Sequence, residues 1–440
     1  MARESANEAA AGELRPWRRR GCVRRLTATS LFGLLILVLT VQGFGRLASR
    51  VLDRRVARLS ADLDVMRARL ESPRPGPGGA PRSEDAMVSY TEFSVLVTDR
   101  GAGLLPLNSN GFETLFDELA RRRWTKGVDL SPLSAEHQRL FERAKPALLV
   151  LRRALRRRRC SWPFRLEEGS FAEFPDMTWI SYASRLLLGS ACGEGGEGLL
   201  EAGVSSLEFA SDLAKYPGVL GSLLASRARE TGLAALARAL EGELTNEQCR
   251  GALERLEETA IDASLGIECE RLSNGATFAA ICDRPLAEVG MRGLGGDLGL
   301  LERGLFVRVL AWQRYDDFMA RWQQALEGPR SLRVARLAEL TTEGREAWLS
   351  LLKLLLPTNL TSLTEELCRG DDEVVLVKIG FAARLHVLTG GGAPSTGVEL
   401  ASLAGLDPDR VEGVELEVSP RALTLSAPAW TPLVVRVARP

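Results

Sequence analysis

The sequence predicts a mainly α-helical protein: an N-terminal transmembrane helix and helical stalk, a multi-helix bundle or short α-solenoid, and a small C-terminal lobe of helix plus antiparallel β-structure. Three observations predict it. Leu26 to Gly45 carries no charge across twenty residues, between Arg24 and Arg25 on one side and Arg46 on the other. Apolar residues then recur every three or four positions through the middle of the chain, the period of a helix face. From Val414 onward the period drops to two, with Pro420, Pro428 and Pro432 as punctuation.

Residues 1–25 form a basic tail with Arg15, Arg18, Arg19, Arg20, Arg24 and Arg25. Residues 26–45 read as the transmembrane helix, because twenty residues at about 1.5 Å rise match the roughly 30 Å hydrocarbon core of a bilayer. The rival reading is a cleaved signal peptide, whose apolar run is shorter and ends in small residues, here imitated only by Gly43 and Gly45. The tail arginines place the N-terminus in the cytoplasm, although Arg46, Arg50, Arg54, Arg55 and Arg58 make the other flank basic too. This topology puts the bulk of the chain outside the cytoplasm, anchored in the inner membrane.

Residues 46–71 continue as a juxtamembrane helix. Leu52, Val56, Leu59, Leu63, Met66 and Leu70 alternate by four and three, which suits either a short parallel coiled coil, and so a weak homodimer, or a stripe packed on the chain's own domain. Residues 72–86 hold Pro73, Pro75, Pro77 and Pro81 among glycines, a linker. Residues 87–370 form the helical domain and 371–440 the small α/β lobe.

Within the helical domain, Met87 to Thr98 is rich in β-branched and aromatic residues and reads as a strand. Helices are expected at Ser134–Arg159, kinked or split at Pro146, and at Met177–Cys192, Leu199–Ala214 and Val219–Leu240. Another is expected from Thr245 to about Leu272, where Thr245 and Gln248 spell a capping box. Further helices fall at Leu300–Leu326, Ser331–Leu340, Thr342–Leu355 and Glu373–Leu388. Ser273-Asn274-Gly275 signals a turn, which would bring Cys269 and Cys282 within disulfide range.

Composition narrows the function classes. The chain has 440 residues, is 45% hydrophobic and balances 57 basic against 57 acidic residues, enough for one or two cored domains. Of the basic residues only Lys126, Lys145, Lys215, Lys353 and Lys378 are lysine, so the arginine excess is a compositional bias, and no nucleic-acid partner is expected. Two histidines, His137 and His386, are too few for a histidine-rich metal site. Six of the seven cysteines, Cys160, Cys192, Cys249, Cys269, Cys282 and Cys368, follow the apolar segment and Cys22 precedes it; none makes a C-x-x-C pair.

No motif selects catalytic, cofactor or metal residues. The run Gly290 to Gly299 lacks both a preceding strand and the G-x-x-x-x-G-K-[ST] pattern of a phosphate loop. Arg152 to Arg159, RRALRRRR, is read as a solvated helix end in preference to a phosphate grip. Gly111 to Glu118, GFETLFDE, imitates a prepilin cleavage site, but Arg121, Arg122 and Arg123 follow where an apolar helix is needed. The paired acids Asp316 and Asp317, or Glu365 and Glu366, are sequence neighbours and point apart on a helix. Trp179, Tyr182, Trp312, Tyr315 and Trp322 recur at helical spacing and are read as core or groove aromatics.

Two passages carry a resemblance. One is LEFASDLAKYPGVLGSLLASRARETGLAALARAL, Leu207 to Leu240, with IECER, Ile267 to Arg271; the other is KIGFAARLHVLTGGGAPSTGVELASLAGL, Lys378 to Leu406. On these the chain resembles uncharacterised single-pass, membrane-anchored helical proteins of planctomycete-type bacteria, and its C-terminal part resembles the globular tail of a pseudopilin. The resemblance implies an architecture and brings no activity. The expected function is therefore a membrane-tethered, extracytoplasmic protein-interaction or scaffold module of the bacterial envelope, with a protein partner. The alternative is an extracytoplasmic hydrolase using carboxylates in an interhelical cleft. An enzyme calls for a concave pocket in which acids are pushed to different pKa values, a scaffold for an extended apolar groove.

Overall fold

The computed structural model describes residues 15–72, 85–98, 110–124, 128–259, 263–283, 305–327, 330–345, 360–407 and 414–436, apart from short stretches at 158, 172–177, 217, 393, 395, 419–421 and 427–432. Its elements are α1 Arg15–Glu71, α2 Ala86–Thr98, α3 Asn110–Trp124, α4 Ala135–Leu155, α5 Thr178–Ala191, α6 Gly196–Ala214, α7 Val219–Leu240 and α8 Asn246–Glu258. There follow α9 Ala263–Asp283, α10 Leu305–Glu327, α11 Arg330–Arg345, α12 Leu360–Leu388, α13 Gly397–Leu403, then β1 Glu415–Val418, β2 Ala422–Ser426 and β3 Leu433–Arg436. The protein is mainly helical, as the 3.6-residue period predicts, and the three strands form one antiparallel sheet in the order β1-β2-β3.

The transmembrane helix is overturned. Among the described residues no helix is long and apolar enough to cross a membrane, which overturns the spanning reading of Leu26 to Gly45 and with it the single-pass, inner-membrane placement. The residues concerned are one part of the 57-residue helix α1, continuous with charged turns on either side. Thr27, Thr29, Ser30, Gly33, Thr40, Gln42, Gly43 and Gly45 dilute the stretch, so the longest unbroken apolar run is Leu34 to Leu39.

The chain divides into two compact units, Met1–Arg58 with Phe278–Gln313, and Leu59–Thr277 with Arg314–Pro440. In the smaller unit α1 presents Phe44 to Phe306, with ring centroids 5.3 Å apart, and Arg55 lies over the Trp312 ring at 5.7 Å. Phe278 stacks on Trp312 at 6.4 Å.

In the larger unit the seam on α1 faces inward. Leu59, Leu63 and Met66 are buried within this chain, and only Val56 of the stripe is exposed. Arg67 reaches Glu167 at 3.2 Å beside this buried end of the stripe. Of the 72–86 linker, residues 73–84 lie outside the described residues.

Two cores fill the larger unit. Tyr90, Phe93, Phe112, Phe116, Phe141, Leu151, Trp179, Leu187 and Phe209 unite α2 to α6 in the first. Leu199, Leu207, Leu236, Leu240, Leu256, Ile379, Phe381, Leu400, Leu425 and Val435 unite α6 to α8, α12, α13 and the sheet in the second. Residues of the expected C-terminal lobe thus share a core with α6 to α8. The hairpin α6–α7 serves both cores, and its backbones touch at two glycines: a Cβ added to Gly232 would lie 2.8 Å from the carbonyl oxygen of Gly203. Such contact between helix axes demands residues without side chains.

Local signals account for several helix ends. Ser134 accepts a hydrogen bond from the His137 backbone N–H at 3.2 Å, and Thr245 with Gln248 closes the expected capping box. The helix expected from Thr245 to about Leu272 is two, α8 and α9, and three further local expectations are revised. Met87–Thr98 is helical, because Tyr90, Phe93 and Val97 form an i, i+3, i+7 stripe whose burial outweighs β-propensity. Pro146 lies inside α4 without splitting it, since Phe141, Ala144, Ala147, Leu148 and Leu151 are buried on both sides of the lost hydrogen bond. The Ser273-Asn274-Gly275 turn is absent, as α9 runs straight through it. Cys269 and Cys282 are therefore thirteen residues apart on one helix, about 20 Å, far outside disulfide range.

Candidate functional site

The larger unit contains a cavity of about 840 Å³ walled by five separate stretches of chain. They are the loop Val128–Pro132, the turn Gly193–Glu194 with Leu199 of α6, the last turns of α7 from Glu230 to Glu241, Glu373, Leu376 and Val377 of α12, and Leu433 and Val434 of β3. Each wall has a local cause. Leu425 and Leu433 pair across β2 and β3, both buried, so β3 lays Leu433 on α7 and α12 and turns Val434 outward. On α7 the inward residues Leu233, Ala234 and Ala237 keep the wall low beside Leu376 and Val377.

The loop is fastened by Arg122 of α3, a nearly buried guanidinium. It donates to the carbonyl of Ser131, to that of Pro132 at 3.3 Å, and to the Glu118 carboxylate at 2.9 Å. Asp129 accepts from the Ser131 backbone N–H at 2.9 Å, and Gly193 N–H donates to the Leu130 carbonyl at 3.1 Å. Those Ser131 bonds hold the Asp129 carboxyl below its usual range, and the hydrogen bond from Arg122 does the same for Glu118.

The cavity is chemically lopsided. Asp129, Glu194, Glu230, Glu241 and Glu373 line it beside a single cation, Arg238, which is ion-paired with Glu241 on its own helix. The lining thus carries more carboxylates than cations, with the Arg122 guanidinium acting on Asp129 from behind the loop, over a floor of Leu130, Leu199, Leu233, Leu376 and Leu433.

A half-buried carboxyl, Glu270, lies elsewhere in this unit. Glu270 of α9 accepts from the Val219 backbone N–H at the start of α7 and from Asn274 Nδ2, both at 3.1 Å; Asn274 also donates to the Tyr315 hydroxyl at 2.7 Å. Burial raises the Glu270 pKa more than these donors lower it. The folded state therefore holds this proton more tightly than the unfolded chain, and the group costs stability as pH rises from about 4.5 through its raised pKa. Glu270→Gln should remove that cost, so the stability difference, wild type minus variant, should fall as pH rises above about 4.5. Urea melts across this range test it, and a flat difference would sink it.

The other sequence candidates are spent on packing. Arg152 pairs with Glu201 at 3.1 Å and Arg153 with Glu92 at 3.3 Å, linking α4 to α6 and α2, and Arg159, beyond the end of α4, pairs with Glu71 of α1 at 3.7 Å. Asp316 pairs with Arg271 at 2.9 Å, and Glu366 with Arg227 at 3.5 Å. Trp179, Trp312, Tyr315 and Trp322 are buried, as their spacing predicts. Burial pushes the thiols of Cys192, Cys249 and Cys282 up to about 11 and that of Cys269 up to about 12, which leaves them unreactive near neutral pH. Residues 290–299 lie outside the described residues, and among those described no three His, Cys, Asp or Glu side chains gather to hold a metal ion.

The sequence reading missed both the cavity and the Arg122 clamp. No spacing could have found them, because the lining acids come from positions as far apart as 129 and 373. Set against known proteins, the chain matches no family model, no curated protein and no solved structure.

Proposed function

We propose that this chain is a helical protein-interaction module that captures a partner in the cavity between α7, α12, β3 and the Val128–Pro132 loop. The observation that carries this reading is the pairing of an aliphatic floor with a polar rim on fixed secondary structure, the composition of a recognition site. The clamp at Arg122 supports it, since a loop whose Ser131 and Pro132 carbonyls are held by one guanidinium is organised before any partner arrives. The hydrolase alternative draws on the same carboxylates, but acid–base chemistry asks for one acid kept protonated beside an ionised one. Asp129 is held low, and the carboxyl that burial raises, Glu270, is not among the lining residues.

Photocrosslinking tests the proposal. A photoreactive residue at Ala237, in the cavity wall, should trap a discrete protein in the native cell, whereas one at Leu149, exposed on α4, should not. Equal patterns from both positions, or none from either, would reject the cavity as the interface.

A further inference from the structure

We infer that the occupant of this cavity is a cationic, aliphatic-bearing peptide segment of the partner protein, with arginine or lysine side chains at the rim and a leucine-like side chain between α7 and α12. This rests on the reading of the cavity as a protein-interaction site. The argument is charge complementarity. Among the lining residues Arg238 is the one cation and is engaged with Glu241, and no lysine or histidine is present. Glu194 and Glu230 line the cavity without an ion-pair partner among the described residues, Glu194 with its carboxylate over the first turn of α6 beside Gly198.

Such an excess repels an acidic or phosphorylated segment and draws a basic one, with an effect that salt weakens. It is also local. The whole chain is formally neutral, with 57 basic and 57 acidic residues, so a general attraction of the molecule for cations does not produce it. The floor adds a second requirement. Leu233, Leu376 and Leu433 offer nothing to a purely ionic ligand, whereas an aliphatic side chain entering between them leaves water. A volume of about 840 Å³ holds several side chains and falls within the range of recognition pockets, roughly 300–1,000 Å³. A short segment fits it, not a folded domain.

The test uses the full chain and three labelled eight-residue peptides: one alternating arginine and leucine, one with glutamate in place of arginine, and one with serine in place of leucine. Fluorescence anisotropy should show saturable binding of the first alone, weakened at least tenfold in the Glu194→Gln/Glu230→Gln variant and by raising salt from 50 to about 300 mM. Both substitutions lie on accessible positions, and matching circular dichroism melts would establish that the variant is folded. Ala237→Trp, which fills the cavity from its wall, should block binding independently of charge. Equal binding of the glutamate peptide, or an unchanged affinity in the double variant, overturns the inference. So does equal binding of the serine peptide, or full competition by spermine at the same concentration, either of which would make this a small-cation site. If Ala237 still crosslinks a protein while no basic peptide binds, the interaction reading stands and the cationic occupant falls; if neither occurs, both fall.

Discussion

Replacing Gly232 with valine should be among the most damaging single changes in this protein, lowering stability by about 3 kcal/mol or more. Overpacking a tight core usually costs about 1–3 kcal/mol, and here the new atoms meet backbone, which cannot rotate away. A Cβ at Gly232 would lie 2.8 Å from the Gly203 carbonyl oxygen and 3.0 Å from Leu207 Cγ. Separating the helices relieves the clash only by loosening both cores, because α6 and α7 face each of them. Gly232→Ala should show a smaller loss of the same kind. Urea denaturation with tryptophan fluorescence measures it, and a valine variant within about 0.5 kcal/mol of the parent would show that the hairpin is not in contact there.

Asp212→Ala should cost about 2–4 kcal/mol, whereas Asp212→Asn should cost less than about half of that. The carboxylate is fully buried and accepts from the Tyr90 hydroxyl at 2.6 Å, so truncation strands a buried donor. Asparagine retains an acceptor. Trp162 donates instead to the Asp212 main-chain oxygen at 2.8 Å, a bond that any side chain at 212 preserves. Its stacking with Tyr90 and Trp179, at 6.5 and 6.0 Å, should therefore survive, and native tryptophan emission should change little. A double-mutant cycle with Tyr90→Phe isolates the hydrogen bond: the two losses should be clearly less than additive. Strict additivity would place the cost elsewhere.

The parts of the fold legible in the sequence are those whose cause is local. Val219–Leu240 begins after a glycine in a left-handed turn, with φ 92° at Gly218, and Thr245 with Gln248 satisfies its own helix start. The alternation at Leu416, Leu423 and Leu425 requires only that one face of the meander be buried, and the strands lie as it predicts. Where tertiary packing competes with a local signal, the signal loses. Asn274 sits in a turn tripeptide, yet its amide has two buried acceptors in Glu270 and Tyr315, and a continuous helix is what places it between them. Tyr90 and Phe93 lie in a strand-like run but supply aromatic surface that only a helix can put on one side. The segment at Leu26 is uncharged without being uniformly apolar, since threonine, glycine and glutamine interrupt it. The acidic cavity had no sequence signature, since Glu194, Glu230 and Glu373 become neighbours only after α6, α7 and α12 have packed.

The route by which the cavity closes bears on when the protein becomes competent to bind. Its opposite walls, Val128 and Val434, are separated by roughly 300 residues of chain, so joining them demands one of the longest loop closures in the fold. Contacts of that span form after the α6–α7 hairpin, which needs only its own turn, and they bring little reward until the hairpin is in place. The cavity rim should thus be a region where amide protons exchange by local opening while those of α6 and α7 wait for global unfolding. A partner that fills it would slow that opening, and its arrival would be recorded as protection spreading to β3 and the Val128–Pro132 loop with the hairpin unchanged.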